Sequence, residues 1–341
     1  MAESKIKSFN HLKIHTQYSI CEGAIKIDDL KDFSKDNKIK SLGLCDTSNL
    51  CGALEFAEKI SKIGTQPIIG TQINFKFNEI IGLLPLYALN EVGYKRIIEL
   101  SSMSFLNDNQ LFEPQVDFKE LLTNNDGIAI FSGTILGLFG ELFNKGKFQN
   151  INELYSKLKS SYGDRFYIEI QRHEDENELG FEKFNLSKSL ELEIPLIATN
   201  EVFYLNKDMH EAHDALICIK NKTYVNEKNR LKFTNQHYFK NDSEMDELFA
   251  DLPEALENNY NFPFRCSFKP LSSKPILPNI SSEKGGNADE ILKKDSFDGL
   301  NEKFNKIFKV ENQDFSTNEK YIKYKDRLDH ELDIIIEMKY S

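Results

Sequence analysis

The sequence predicts an α/β protein whose mainly parallel sheet closes into a barrel, followed by a helical appendage. Three observations predict it. Short apolar or β-branched runs alternate with amphipathic stretches, the pattern of repeated βαβ units. Polar or ionisable residues collect where those runs end, at His15, Asp46, Gln72, Ser132, Gln171 to His173, and Asn200 with Glu201. In (β/α) barrels that rim carries the functional groups, because its loops converge on one mouth. Singly, each of these residues also reads as a satisfied turn or cap. Finally, the texture changes after about residue 262, where prolines crowd together ahead of two strongly helical runs.

Taken in order, strands are expected at Phe9 to His15, Ser41 to Cys45, Pro67 to Phe75, Ile80 to Tyr87, Gly127 to Phe131, Arg165 to Ile170 and Pro195 to Thr199. Between them, Ile27 to Asn37, Asn49 to Ile63, Glu91 to Met103, Phe148 to Ser161 and Glu178 to Glu193 space their apolar residues as helices do. Ile80 to Tyr87 follows its predecessor so closely that a hairpin through Lys76–Asn78 is expected. Gly133 to Gly140 holds glycines without the lysine and spacing of a phosphate-cradling loop, and reads as a turn. Pro263, Pro270, Pro275 and Pro278, with the polar stretch Ser281 to Asn287, have the composition of a linker. Hence residues 1–262 are read as the barrel, 263–287 as the linker, and 288–341 as helices at Ala288 to Phe308 and Asn318 to Met338. The chain stops at Ser341 straight after a helical run, which suggests a fragment.

Composition narrows the function classes. With 341 residues, 40% hydrophobic and 28% charged, the chain is a folded globular protein with room for one large barrel and an appendage. It has no apolar run long enough for a bilayer and no apolar signal core near Met1, so a cytoplasmic, non-membrane protein is expected. Cys21, Cys45, Cys51, Cys218 and Cys266 are scattered without a C-x-x-C pair, and read as reduced thiols rather than a zinc site. A net charge of −11 speaks against this piece itself gripping a phosphate backbone.

The first strand carries the sharpest signal. Side chains alternate along a strand, so His11, Lys13 and His15 are expected on one side and Leu12 and Ile14 on the other. A row of imidazoles at a strand end would begin a metal site. Its middle member, however, is an ammonium with three donors and no acceptor, which cannot ligate a cation while protonated. Elsewhere, His210 and His213 are spaced by three on an expected helix and read as surface or core residues. His173 is placed to line the mouth, while His237 and His330 lie in polar surroundings and say little.

Several motifs now point to one family. His11-Leu-Lys-Ile-His15-Thr-Gln-Tyr-Ser, Cys45-Asp-Thr-Ser-Asn-Leu-Cys-Gly52, Gln66-Pro-Ile-Ile-Gly70, Gly163-Asp-Arg-Phe-Tyr-Ile-Glu-Ile-Gln-Arg-His173 and Ala198-Thr-Asn-Glu-Val-Phe-Tyr204 resemble the polymerase-and-histidinol-phosphatase (PHP) domain. The version most similar is the one that opens the alpha subunit of bacterial DNA polymerase III. Asp251-Leu-Pro-Glu-Ala-Leu-Glu-Asn258 and Arg327-Leu-Asp-His-Glu-Leu332 resemble the same subunit beyond the barrel, so the resemblance runs nearly the whole chain.

That resemblance implies a distorted seven-stranded (β/α) TIM-like barrel, then the first helices leading into a polymerase palm. The full protein would be a DNA-directed DNA polymerase, with Mg2+ held by palm aspartates beyond this chain. Active members of the family hold a metal cluster through about nine ligands. Their slots fall here on Lys13, His15, Glu22, Thr47, Gln72, Phe105, Thr134, Glu201 and Phe203, with Asp46 beside them. Only His15, Glu22 and Glu201 are credible ligands, and a catalytic metal needs several plus an open position. The site is therefore expected to be degenerate, with no catalytic residue and no metal in this piece, and with the Lys13 ammonium near Glu22 and Glu201 replacing the lost cations. The implied role is a noncatalytic scaffold that docks the proofreading exonuclease. DNA is contacted through the full protein, and the sliding clamp and clamp loader through later regions. The competing reading is a metal-dependent phosphoesterase or 3′-5′ exonuclease. A free-standing small-molecule phosphatase leaves residues 263–341 without a purpose.

Overall fold

The computed structural model describes residues 8–106, 113–275, 287–308 and 315–341, in two compact units, Met1–Ser272 and Ser273–Ser341. The first unit is built on one sheet. Its strands are β1 (His11–Ile14), β2 (Ser41–Thr47), β3 (Gln66–Phe77), β4 (Ile80–Ala88), β5 (Val116–Asp117), β6 (Ile128–Phe131), β7 (Phe166–Ile170), β8 (Leu196–Ala198) and β9 (Glu201–Val202). They follow the order β8-β7-β6-β4-β3-β2-β1-β9, with β5 added beside β3. Neighbours run parallel, except that β4 is antiparallel to both β3 and β6. The expected hairpin is present: Phe77 lies opposite Ile80, and the turn holds Asn78 at φ 54°, where asparagine is among the least strained residues.

The two edges of this sheet, β8 and β9, are separated in sequence only by Thr199 and Asn200. The sheet must therefore curl until its ends nearly meet. Counting β8 and β9 as one interrupted stave and setting β5 aside leaves seven staves, the distorted barrel expected. Its interior is filled in the manner of such barrels, one or two side chains from each stave. Leu12, Cys45, Ile68, Tyr87, Ala129, Phe131, Tyr167 and Ile197 converge there with Phe262 and Cys266. Between these inward residues, Leu42, Leu44, Ile69 and Val202 face outward and bury α1 (Ile27–Asp36) and α2 (Ala53–Lys62). The remaining outer layer comprises α3 (Glu91–Leu106), α4 (Leu138–Asn144), α5 (Phe148–Tyr162), α6 (Glu178–Leu192), α7 (His210–Asn221), α8 (Asp242–Leu248) and α9 (Pro253–Asn261).

Three expectations need correction. Alternation in β1 fails at its start, because the pairing register shifts between His11 and Ile14. His11 turns away from Lys13 and His15: its Nε2 lies 2.7 Å from the Lys240 carbonyl oxygen, and its ring packs 3.8 Å from that of Phe239. Second, Gly133 to Gly140 is not wholly a turn, since α4 begins within it at Leu138. Third, the barrel does not end at residue 262. Phe262–Arg265 forms a 3₁₀ turn whose Phe262 plugs the interior, its ring centroid 5.1 Å from Phe131 and 5.6 Å from Tyr87. Gln66 Nε2 donates to the carbonyls of Pro263 and Cys266, both at 2.9 Å, so the stretch expected to start a linker belongs to the first unit. Residues 276–286, also assigned to the linker, lie outside the described residues.

The second unit contains α10 (Ala288–Phe308) and α11 (Glu319–Glu337), close to the expected bounds. Asn318 caps α11 by accepting from the amides of Lys320 and Tyr321. Phe304, Phe315 and Tyr321 form its small aromatic core.

Candidate functional site

Parallel register decides what meets at the mouth of the barrel. Lys13 on β1 is the direct partner of Glu201 on β9, and Thr47 on β2 that of Gln72 on β3. Directly paired residues present their side chains on the same face. Lys13 Nζ accordingly stands 3.1 Å from Glu201 Oε1, with both residues buried. His15, just past the end of β1, brings Nε2 to 3.1 Å from the same oxygen. Burial opposes ionisation of Glu201, but the Lys13 ammonium and His15 outweigh it and hold the carboxyl well below the usual carboxylate range. Burial likewise disfavours the Lys13 ammonium, yet Glu201 and Glu169 raise its pKa to about 12.

These directions give a pH signature. A raised lysine contributes stability that is complete below its ordinary value and lost as pH rises through the folded one. A depressed carboxyl contributes stability present above its ordinary value and lost as pH falls. The reference is a variant with both groups neutral, Lys13→Met with Glu201→Gln. Compared with it, the wild type is expected to lose stability as pH rises from 10.5 toward 12, and again as pH falls below 4.5. Urea unfolding of both proteins across pH checks this, and parallel curves throughout would deny the ion pair.

Behind the pair lies a second layer. Asp46 is fully buried and accepts from the Thr16 amide at 2.6 Å, the Thr16 hydroxyl at 2.8 Å and the Ser19 hydroxyl at 2.7 Å. Burial raises its pKa, against the pull of those donors. Ser19 spends its single proton on Asp46, so it accepts from His15 Nδ1–H at 3.2 Å. His15 meets Glu201 through Nε2 at 3.1 Å, so both ring nitrogens are engaged by protein groups.

Glu22 does not join Lys13 as expected. It accepts from the Thr47 hydroxyl at 2.6 Å and pairs with Lys220 of α7, while Gln72 Nε2 donates to Thr47 Oγ1 at 3.0 Å. Lys13, Glu22, Gln72, Thr134, Glu201 and Phe203 all line one cleft, so the structure gathers most of the expected positions. Phe203 stacks on the His15 ring at 4.6 Å, an apolar plate where a ligand would be needed. Phe105 lies apart, 60% exposed near the end of α3, and does not line the cleft.

Sequence reasoning missed two residues and the partner of a third. Lys220 is a second ammonium on the cleft, carried there by a helix whose placement no local pattern reveals. His213 reaches the Glu22 carbonyl oxygen through Nε2 at 2.9 Å, a core contact of the kind foreseen but with a partner that was not. Glu169 is buried on β7, with Gln171 and Thr199 donating to one of its oxygens. A carboxylate within the apolar run Phe166-Tyr-Ile-Glu-Ile170 was the signal that could have found it.

The PHP domain model matches residues 11–173. The DNA polymerase III subunit alpha of Caulobacter vibrioides is 34% identical over 353 residues, covering 100% of this chain and 30% of that protein. The corresponding subunit of Rickettsia conorii is 36% identical over 335 residues, covering 98% and 28%. That of Pseudomonas aeruginosa is 29% identical over 337 residues, covering 98% and 29%. The chain thus spans about three tenths of the length of these relatives. Among the described residues no helix is long and apolar enough to cross a membrane. Over its whole length this chain belongs with the DNA polymerase III alpha subunits, and the barrel at its start is a PHP domain.

Proposed function

We propose that this barrel is a noncatalytic scaffold of a replicative DNA polymerase, and that its ancestral metal pocket has been rebuilt as an ion-pair cluster. The observation that carries the reading is the Lys13 ammonium seated 3.1 Å from Glu201 Oε1. Carboxylates gathered in a buried mouth need a cation, and a lysine supplies one without the open coordination position that hydrolysis requires. Phe203 on His15, and a His15 with both nitrogens engaged, support the same conclusion. Nucleotidyl transfer and its Mg2+ are assigned to regions of the polymerase outside this chain. Docking of the proofreading exonuclease is proposed for the barrel, with DNA, clamp and loader contacts made by the full protein.

The test has two arms. Incubated with Mg2+, Mn2+ or Zn2+, the chain is expected to hydrolyse neither bis-p-nitrophenyl phosphate nor the 3′ end of single-stranded DNA above background. Metal-dependent turnover that disappears in His15→Ala would instead establish the phosphoesterase reading. Mixed with the exonuclease subunit of the same polymerase, the chain is expected to co-elute with it in size-exclusion chromatography. Separate elution at micromolar concentration would remove the docking role.

A further inference from the structure

The backbone of Glu201 leads to a second cluster that shares no residue with the ancestral slots. His237 Nδ1 lies 3.2 Å from the Glu201 carbonyl oxygen and can only donate to it, so Nε2 is the unprotonated nitrogen of the neutral ring. That Nε2 is buried, has no hydrogen-bond partner, and faces Asp175 Oδ2 at 3.6 Å. His237 also stacks on His173, with centroids 4.1 Å apart and planes 4° from parallel. Both rings are 1% exposed. A lone pair aimed at a carboxylate inside a protein is unfavourable unless something positive lies between them.

We propose that His173, Asp175 and His237 bind a divalent cation of the borderline class, Zn2+ foremost. One donor atom from each lies within 4.8 Å of the others. Two imidazoles and a carboxylate are a ligand set that suits zinc, and hard cations such as Mg2+ and Ca2+ prefer all-oxygen cages. Zinc–ligand bonds of about 2.1 Å set tetrahedral donors about 3.4 Å apart, and the 3.6 Å between His237 Nε2 and Asp175 Oδ2 already approaches that. Binding would tilt the two rings off parallel toward the shared ion.

Outer-shell groups that fix ligand tautomers are present as well. The Glu201 carbonyl holds His237 Nδ1–H. His173 Nε2 has Asn200 Oδ1 at 3.0 Å and the Glu201 amide at 3.2 Å, and in the tautomer that donates to Asn200 its Nδ1 is left for the ion. A fourth donor is at hand. Glu178 Oε1 lies 3.6 Å from His173 Nδ1, and its other oxygen is anchored by the amides of His173 and Glu174, each at 2.8 Å. Asp175 is only partly buried and gives an ion a way in. With four protein donors the site would be closed and structural. It would tie the segment after β7 to the segment before α8, and through Glu201 steady the floor of the neighbouring cleft.

The test uses the full chain, stripped with a chelator and dialysed against Zn2+, with metal content read by mass spectrometry. About one zinc per chain is expected, with a rise of several degrees in Tm. Co2+ in its place should give the visible absorption of a four-coordinate site. Asp175→Asn, a conservative change at a partly exposed residue, is expected to abolish retention, absorption band and Tm rise together, as is His237→Asn. His15→Ala is expected to leave all three unchanged. No retained zinc, or zinc kept by both Asp175→Asn and His237→Asn, would overturn the site. Zinc lost in His15→Ala but kept in Asp175→Asn would place the ion in the cleft, overturning this site and the metal-free reading of the cleft together. Absence of zinc alone leaves that reading standing.

Discussion

Lys13→Ala is expected to cost about 3–5 kcal/mol of unfolding free energy, the range for breaking a buried ion pair from one side. The loss comes less from the missing attraction than from what stays behind. Glu201 would remain 6% exposed, and Glu169, only 2% exposed, has one oxygen without a hydrogen bond. Both acidic groups would lose the nearby ammonium that their fields now hold protonated up to about pH 12. Removing both partners at once, in Lys13→Met with Glu201→Gln, should cost much less, because no charge is then left unpaired. Lys13→Arg is not a rescue, since the wider guanidinium fork does not fit a slot made for a single ammonium. The chain has no tryptophan, so urea unfolding is best followed by tyrosine ellipticity. A loss in Lys13→Ala no greater than about 1 kcal/mol, the value of an exposed pair, would mean that the mouth is solvated and that lysine is no substitute for a metal.

Phe262→Ala is expected to cost a similar 3–5 kcal/mol, as large aromatic-to-alanine changes in cores do. Phe262 is fully buried and packs its ring on Tyr87, Phe131 and Tyr167, so its removal opens a cavity bounded by residues from three different staves. Those staves are tied into the sheet and cannot collapse into the space. Phe264, two residues on, provides the control: it is 82% exposed, and its change to alanine should stay within about 0.5 kcal/mol. Equal, small effects at both positions would return residues 263–266 to the linker that Pro263 and the prolines after it suggested. The contrast separates a plug from a tether.

That segment shows where reading a sequence stops. Pro263, Pro270 and Pro275 carry the composition of a linker, but composition reports local backbone preference and not whether the ring beside the first of them has found a cavity. The same limit explains β1. Alternation placed His11 with Lys13 and His15, but a register shift, invisible to a period-two pattern, sends His11 to Phe239. Lys13 meeting Glu201 followed from the family's slots. Glu22 meeting Lys220 did not, because the partner sits on a helix nearly two hundred positions away and its approach is set by the packing of α7.

The sequence by itself determined the α/β class, nearly every principal strand and helix, and the hairpin at Asn78. Those features depend on local periodicity, turn chemistry and strand ends, all of which are written along the chain. Only the tertiary structure decided that Glu22 pairs with Lys220, which histidine turns away, and that Phe262 seals the barrel. Pairing and plugging depend on distances of a few ångströms between residues far apart in sequence. Those distances come into being when the sheet curls and its two edges, β8 and β9, come round to each other.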